Sequence, residues 1–218
     1  MATRRIGQQI DDLIHAEQWE QARTLIEKAL KKEPESHWLL TQLGETYYEQ
    51  RQYKKALELL LHSRDILPDC PLTLWHLANT LDALGYHGGA IRLYTWLLRS
   101  KKTAKDDPCW ESEAWANALK TDCIYRLGLC FKHCGREDRA AYCLRKYLAL
   151  QVVGSEGSYS IDDARRHLQE LHKGKHAAVE QELQETVDRV LEKSGEEVGP
   201  ATGPPELDSQ SLRQLQEA

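Results

Sequence analysis

The stretch QLGETYYEQRQYKKALELL, residues 42–60, places two small residues, Gly44 and Ala56, inside a sequence with helical spacing. Ala56 has counterparts 34 residues away on both sides, Ala22 and Ala90. A fixed period of this length is typical of stacked helical repeats, in which each unit buries its apolar face only against its neighbours. Small residues then let two antiparallel helices approach closely, which must offset the roughly 1 kcal/mol that glycine costs inside a helix.

The composition indicates an all-helical, soluble protein. Of the 218 residues, 41% are hydrophobic, and they recur at helical spacing with almost no alternating strand pattern. A net charge of -5 lacks the basic balance of a nucleic-acid-binding surface. No signal-peptide core and no run of about 18 apolar residues is present, so we predict no membrane span and a cytoplasmic location. Six cysteines in such a chain favour reduced thiols.

These residues resemble the tetratricopeptide repeat (TPR), a pattern of large, small and aromatic residues closed by a proline. The unit that starts at residue 37 fits the whole pattern with Leu40, Leu43, Gly44, Tyr47, Ala56, Leu60, Ser63 and Pro68. Units that start at residues 71 and 121 fit most of it, and one that starts at residue 3 fits less well, as a terminal repeat does. The resemblance implies an all-α fold: a right-handed superhelical array of TPR helix-turn-helix units with a C-terminal capping helix.

The register of the repeats breaks once. The four predicted units span residues 3–36, 37–70, 71–104 and 121–154. An inserted helical extension, 105–120, separates the last two. Because Pro108 suits the first turn of a helix, we predict either one long helix over about 108–134 or a short extra helix that leads into the fourth unit. Trp110 and Trp115 in this insertion either cover the preceding unit or form a secondary partner-binding surface.

Beyond the repeats, residues 155–193 predict a capping helix and a second amphipathic helix. Ser160 and Asp163 resemble a capping box at the start of the first one. The second amphipathic run covers about 176–193. Residues 194–218 are rich in glycine and proline, so we predict a disordered tail there.

No catalytic or phosphate-binding motif is evident in the sequence. Cys123, Cys130 and Cys134 could share a helix face beside His133, which leaves a metal or redox site as one hypothesis. No CxxC pair is present, however, and small buried cysteines are ordinary packing residues, so we predict no metal and no cofactor. A second trio with approximate ligand spacing is predicted to be solvated: His167, His172 and His176.

The TPR resemblance implies a concave groove lined by the first helices of successive units. We therefore predict a non-catalytic adaptor that binds a partner peptide or helix of another protein in this groove. The predicted partner-binding residues are Trp38, Gln42, Glu45, Tyr48, Glu49, Trp75, Asn79, Asp82, Tyr125, Arg126 and Lys132. Their aromatic members are not required by the repeat pattern, so they are either anchors or half-buried filler.

The charges of the groove grade from acidic at Glu45 and Glu49 to basic at Arg126 and Lys132. Such a gradient would place the basic part of a peptide toward the amino-terminal repeats. The residues with which chaperone-binding TPR domains hold a carboxylate are mostly absent, so we predict no binding to the acidic tails of chaperones. The alternative function is structural: a homo-oligomer formed through the C-terminal amphipathic helix.

Overall fold

The structure is a computed structural model that describes residues 2–154 and 157–171. Within these residues it contains nine α-helices, one short 3-10 helix and no strand, which confirms the all-α prediction. The helices are α1 (Ala2–His15), α2 (Trp19–Leu30), α3 (His37–Glu49), α4 (Tyr53–Ile66), α5 (Pro71–Ala83), α6 (His87–Arg99), α7 (Glu113–His133), α8 (Glu137–Val152) and α9 (Ile161–Leu171). The predicted helix at 176–193 and the predicted disordered tail at 194–218 lie outside the described residues. None of the helices described is long and apolar enough to cross a membrane.

The described chain forms two compact units, one ending at Tyr86 and one beginning at His87. In the first unit α2 packs against α3, α3 against α4 and α4 against α5, and α3 and α5 also lie side by side. In the second unit α6 packs against α7, α7 against α8 and α8 against α9. Each helix thus packs mainly on its neighbours in sequence, as expected of stacked repeats.

The turns within the helix pairs repeat one conformation. The first helix of each pair is followed by a residue with left-handed backbone: Glu17, Arg51, Gly85 and Gly135, with φ of 55°, 58°, 82° and 66°. In all four turns the next residue donates its N–H to the carbonyl five positions earlier, at 2.8–2.9 Å, as in a Schellman motif. Their spacings of 34, 34 and 50 residues reproduce the sequence period and its single interruption.

Close packing of paired helices at small residues is confirmed. A Cβ on Gly44 would lie 2.8 Å from Cγ of Leu60, so α3 and α4 approach too closely there for any side chain. Gly128 and Leu144 repeat this contact between α7 and α8, at 3.0 Å. Ala56 is fully buried. The small residues that define the period therefore set the distance between paired helices.

The inserted segment differs from the long-helix prediction. Residues 108–110 form only a 3-10 turn, and α7 begins at Glu113 after the N-cap Ser112. The carboxylate of Asp107 accepts a hydrogen bond from the Cys109 N–H at 2.9 Å. The helix-start signal at Asp107 is thus satisfied within a single turn, and positive φ at Glu111 ends that turn.

The structure also corrects the hypothesis of an exposed surface at Trp110. This side chain is fully buried. Its ring lies 6.4 Å from the half-buried Trp115 ring in an edge-to-face arrangement, with Nζ of Lys120 5.3 Å from its centroid. Lys120 in turn donates to the Ser100 carbonyl at 2.8 Å. A tryptophan packed in this way stabilises the inserted segment and is not available to a partner.

Candidate partner-binding groove

Five of the predicted binding residues project from α3, where their spacing places them along neighbouring faces of one helix: Trp38, Gln42, Glu45, Tyr48 and Glu49. Helix α5, beside α3, contributes Trp75, Asn79 and Asp82. Helix α1 reaches the same surface through Asp11, which contacts Gln42 of α3. Helices α1, α3 and α5 thus carry the residues of the predicted groove in the first unit.

A polar cluster connects the three helices of this groove. The side-chain amide of Gln42 donates to the carboxylate of Asp11, with Nε2 and Oδ1 3.2 Å apart. One repeat later, Nε2 of His76 lies 3.6 Å from Oε2 of Glu45. Glu49 belongs to the same cluster, because the charges of Glu45 and His76 both act on its carboxyl group.

The TPR resemblance also places Asp11 and His76 at groove-lining positions of their repeats, although neither was selected as a predicted binding residue. Asp11 lies one period before Glu45, and His76 lies one period after Gln42. Residues at equal positions in successive repeats face the same surface when the repeats stack. Asp11 meets Gln42 and His76 meets Glu45 on this shared surface.

The carboxyl groups of the cluster are in an unfavourable electrostatic setting. Burial raises the pKa of Asp11, and this effect outweighs the opposing charge of His15 and the hydrogen bond from Gln42. Burial likewise raises the pKa of Glu49, and the charge of Glu45 raises it further. Desolvated carboxylates that repel one another would be stabilised by a bound cation.

Two buried polar atoms of the cluster have no hydrogen-bond partner: Oε1 of Gln42 and Nδ1 of His76. The two residues are only 7% and 8% exposed. A buried polar atom without a hydrogen-bond partner lowers stability by roughly 1–3 kcal/mol. A ligand group that bonds to these two atoms would remove this cost.

A cavity of about 580 Å³ adjoins this cluster at Asp11. It lies between α1, the end of α2 and the start of α3. Its lining residues are Ile6, Gly7, Gln8, Asp11, Ala29, Lys32, Glu33, Ser36, Trp38 and Leu39. The apolar members of this set make it suitable for a hydrophobic side chain beside the carboxylate.

The aromatic residues predicted for the first unit are half-buried. Trp38 lies over Gly7, where an added Cβ would be 3.7 Å from the indole ring. The rings of Tyr48 and Tyr53 are 5.4 Å apart and tilted. Asn79 and Asp82, by contrast, are 6% and 7% exposed and engaged in interactions within the protein. The structure therefore leaves Trp38, Glu45 and Glu49 accessible and places Gln42, Asn79 and Asp82 beneath the surface.

The predicted binding residues of the second unit are engaged by the chain itself. Tyr125 is only 4% exposed, and its ring stacks on that of Tyr159 with centroids 4.2 Å apart. Nε of Arg126 donates to the Tyr94 hydroxyl at 3.2 Å. Lys132 forms an ion pair with Glu170 of α9. The prediction of an open surface at Tyr125, Arg126 and Lys132 is thus corrected.

The segment before α9 packs on α7 and α8 and covers part of this surface. The Ser158 N–H donates to the Asp122 carboxylate at 2.8 Å, and the Tyr147 hydroxyl donates to the Tyr159 carbonyl at 2.5 Å. Burial raises the pKa of Tyr147 to about 12, so this hydroxyl keeps its proton at neutral pH. The α7 residues at the same repeat positions as the predicted groove residues of the first unit are therefore covered by the segment before α9.

The cysteine trio does not form a metal site in the structure. Cys123 and Cys130 are fully buried, whereas Cys134 is exposed. Seven residues of helix separate the first two by about 10 Å, too far for one ion. Burial also raises the pKa of Cys123 well above its usual range, which disfavours a thiolate.

Two other pairs of metal-ligating residues lie within the units. His37 hydrogen-bonds to Cys70, and together with bonds from Thr73 this lowers the pKa of the thiol although burial opposes it. The rings of His87 and His133 are 4.8 Å apart. From the predicted histidine trio, His167 contacts Lys132, with Nδ1 and Nζ 3.1 Å apart. His172 and His176 lie outside the described residues.

Comparison with known proteins agrees with this architecture. Residues 13–79 match the family model of the tetratricopeptide repeat. A crystal structure of MamA is similar over 84% of this chain and 93% of its own, at 19% identity and a TM-score of 0.55. The MamA RS-1 ArsTM double mutant is similar over 88% and 96%, at 13% identity and a TM-score of 0.59.

A further solved structure, a putative kinesin light chain of Podosopora anserina with nearly identical TPR-like repeats, is similar over 89% of this chain and 97% of its own. Its identity is 16% and its TM-score 0.56. Among curated proteins none matches the sequence. Residues 13–79 thus contain tetratricopeptide repeats, as the sequence predicted. Such repeats generally serve as non-catalytic scaffolds for protein–protein interaction.

Proposed function

We propose that this protein is a non-catalytic adaptor that binds a peptide or helix of another protein in the groove formed by α1, α3 and α5. The observation that carries the proposal is the pair of buried, unsatisfied polar atoms on Gln42 and His76. Purely structural side chains would have been expected to find partners within the fold. The adjoining cavity of about 580 Å³ and the half-buried aromatic rings would supply apolar contacts.

The location of the binding surface is proposed for the first unit only. Its aromatic residues, Trp38, Tyr48 and Trp75, are half-buried, so a partner could contact them without unfolding a helix. The thiol state of the six cysteines is compatible with the cytoplasmic location that we predict.

Affinity capture from the native lysate tests this proposal. The wild-type chain is compared with the double variant Tyr48→Ala/Trp75→Ala, after circular dichroism has established equal helicity. A matched control is Tyr142→Ala, which removes an exposed tyrosine from α8, outside the groove. We expect to capture a protein that binds wild type and the control but not the double variant. The affinity of the purified partner should likewise be similar for wild type and the control and lower for the double variant.

Capture of the same proteins by wild type, the double variant and the control would contradict binding in the groove. Light scattering of the wild-type chain would address the alternative of self-assembly. A stable homo-oligomer with no groove-dependent partner would favour the structural function instead.

A further inference from the structure

The unsatisfied atom of Gln42 can only accept a hydrogen bond, because it is the oxygen of the side-chain amide. The carboxylate of Asp11 can only accept, so Gln42 must turn its NH2 group toward it, which leaves Oε1 as the atom without a partner. His76 faces Glu45 through Nε2, and its Nδ1 accepts a hydrogen bond only in the neutral tautomer that carries the proton on Nε2. The missing ligand must therefore donate hydrogen bonds.

The charge around these acceptors is negative. Asp11, Glu45 and Glu49 act on one another electrostatically, since the charge of Glu45 raises the pKa of both of the others. The basic side chains that act on the carboxyl groups of Asp11 and Glu49 are two histidines, His15 and His76. A donor that also carries a permanent positive charge fits this setting best.

We infer that the cluster of Asp11, Gln42, Glu45 and His76 is the binding site for one arginine side chain of the partner. The inference rests on the proposed function, which supplies the partner segment. A guanidinium group has five N–H donors and no acceptor, and its planar fork pairs with carboxylates through two parallel hydrogen bonds. It would satisfy Gln42 Oε1 and His76 Nδ1 while it pairs with the carboxylates of Asp11 and Glu45.

Arginine fits this site better than lysine. An ammonium group has three donors at one point and holds its water more tightly. The acceptors to be satisfied lie on three different helices, so a flat group with donors along its edge can reach more of them than a single nitrogen can.

A direct test uses small model compounds on the full-length chain. N-acetyl-arginine methylamide, the lysine analogue and the citrulline analogue are titrated into isotope-labelled protein, and NMR follows the side-chain amide of Gln42 and the ring of His76. Citrulline retains the planar shape of arginine but carries a carbonyl oxygen in place of one nitrogen, so it lacks the charge and two of the five N–H donors. We expect the arginine compound to bind at least about fivefold more tightly than the lysine compound, and the citrulline compound not to saturate.

Variants of the carboxylates make the test specific to this site. Glu45→Gln should weaken binding of the arginine compound about tenfold, since hydrogen bonds to charged groups contribute about 1.5–3 kcal/mol. Glu58→Gln, which removes an exposed carboxylate from α4, should leave binding unchanged. Glu49→Gln is a second variant near the rim, useful if Glu45→Gln perturbs the fold.

Equal binding of the arginine and lysine compounds, saturable binding of citrulline, or an unchanged affinity in Glu45→Gln would overturn the inference. Its failure can be told apart from that of the proposed function. A partner whose capture depends on Tyr48 and Trp75 but not on Glu45 would leave groove binding intact and remove the arginine site.

Discussion

Gly44 and Gly7 show how one residue type serves two purposes in the same unit. At Gly44 the neighbouring helix leaves no room for a side chain, because Leu60 fills the space that a Cβ would take. At Gly7 the nearest group is the Trp38 ring, at ordinary van der Waals distance from an added Cβ. The first glycine is required by packing between paired helices, whereas the second leaves space on the groove surface.

We therefore expect opposite effects from the same substitution at these two glycines. Gly44→Ala should lower the free energy of unfolding by about 1–3 kcal/mol, since overpacking displaces Leu60. Gly7→Ala should raise it by roughly 0.5–1 kcal/mol, because alanine favours the helix and meets no clash. Urea denaturation of the two variants measures both values, and loss of stability in Gly7→Ala would contradict the described packing of Trp38.

The groove carboxylates should cost stability at neutral pH. Burial raises the pKa of Asp11 in the folded state, so the folded protein binds more protons than the unfolded chain as the pH falls toward that pKa. The stability lost through ionisation at pH 7 is thus recovered on acidification. Asp11→Asn keeps an acceptor for Gln42 and removes the charge.

This variant should be more stable than wild type at pH 7 by a few tenths of a kcal/mol, the magnitude typical of partly exposed charges. The gain should shrink between pH 7 and pH 4, as the wild-type carboxyl takes up its proton. Urea denaturation at the two pH values measures the change, with Asp12→Asn at the exposed neighbouring position as the control. A gain that grows on acidification would contradict the raised pKa.

At the scale of helices and turns, the repeat hairpins were predictable because their pattern is enforced by contacts within one period. The left-handed turn residue was less evident, since glycine marks it at Gly85 and Gly135 but glutamate and arginine occupy it at Glu17 and Arg51. The fold imposes the conformation there against the preference of the residue. Such positions are recognised from the period and not from the residue type.

Arg51 is therefore a site at which glycine should stabilise the protein. A non-glycine residue in the left-handed region costs about 1 kcal/mol, and Arg51 is exposed, so little packing is lost on its removal. We expect Arg51→Gly to raise the free energy of unfolding by up to about 1 kcal/mol. Arg51→Ala provides the control, because it removes the same side chain but keeps the Cβ; equal stability of the two variants would show that backbone strain is not the cause.

The inserted segment between α6 and α7 was not predictable in this way. Its helix-start signal at Asp107 and Pro108 is real, but the turn that it caps ends after three residues. Trp110 also contacts Lys120 on α7, outside its own turn, which the local pattern does not record. The other predictions came from comparing equivalent positions in successive repeats. A segment that occurs only once has no equivalent positions elsewhere in the chain.

On the scale of the whole chain, the repeat positions predicted that the groove residues of both units bind a partner. The structure shows a difference between the two units. In the first unit the cluster around Gln42 retains unsatisfied polar atoms. In the second unit the equivalent surface of α7 is covered by the segment that leads into α9. The period could identify equivalent positions, but it could not show which of them the chain itself covers.

This difference predicts where along the chain a partner binds. Lys132→Gln should leave groove-dependent capture unchanged, because Lys132 is paired with Glu170 of α9. It should lower the free energy of unfolding only slightly, because the partner carboxylate of Glu170 is exposed to solvent. The Tyr48→Ala/Trp75→Ala variant, measured in parallel, should lose capture at equal helicity. If Lys132→Gln lost the partner as well, α9 would have to leave the surface of α7 on binding, and the second unit would carry a binding surface of its own.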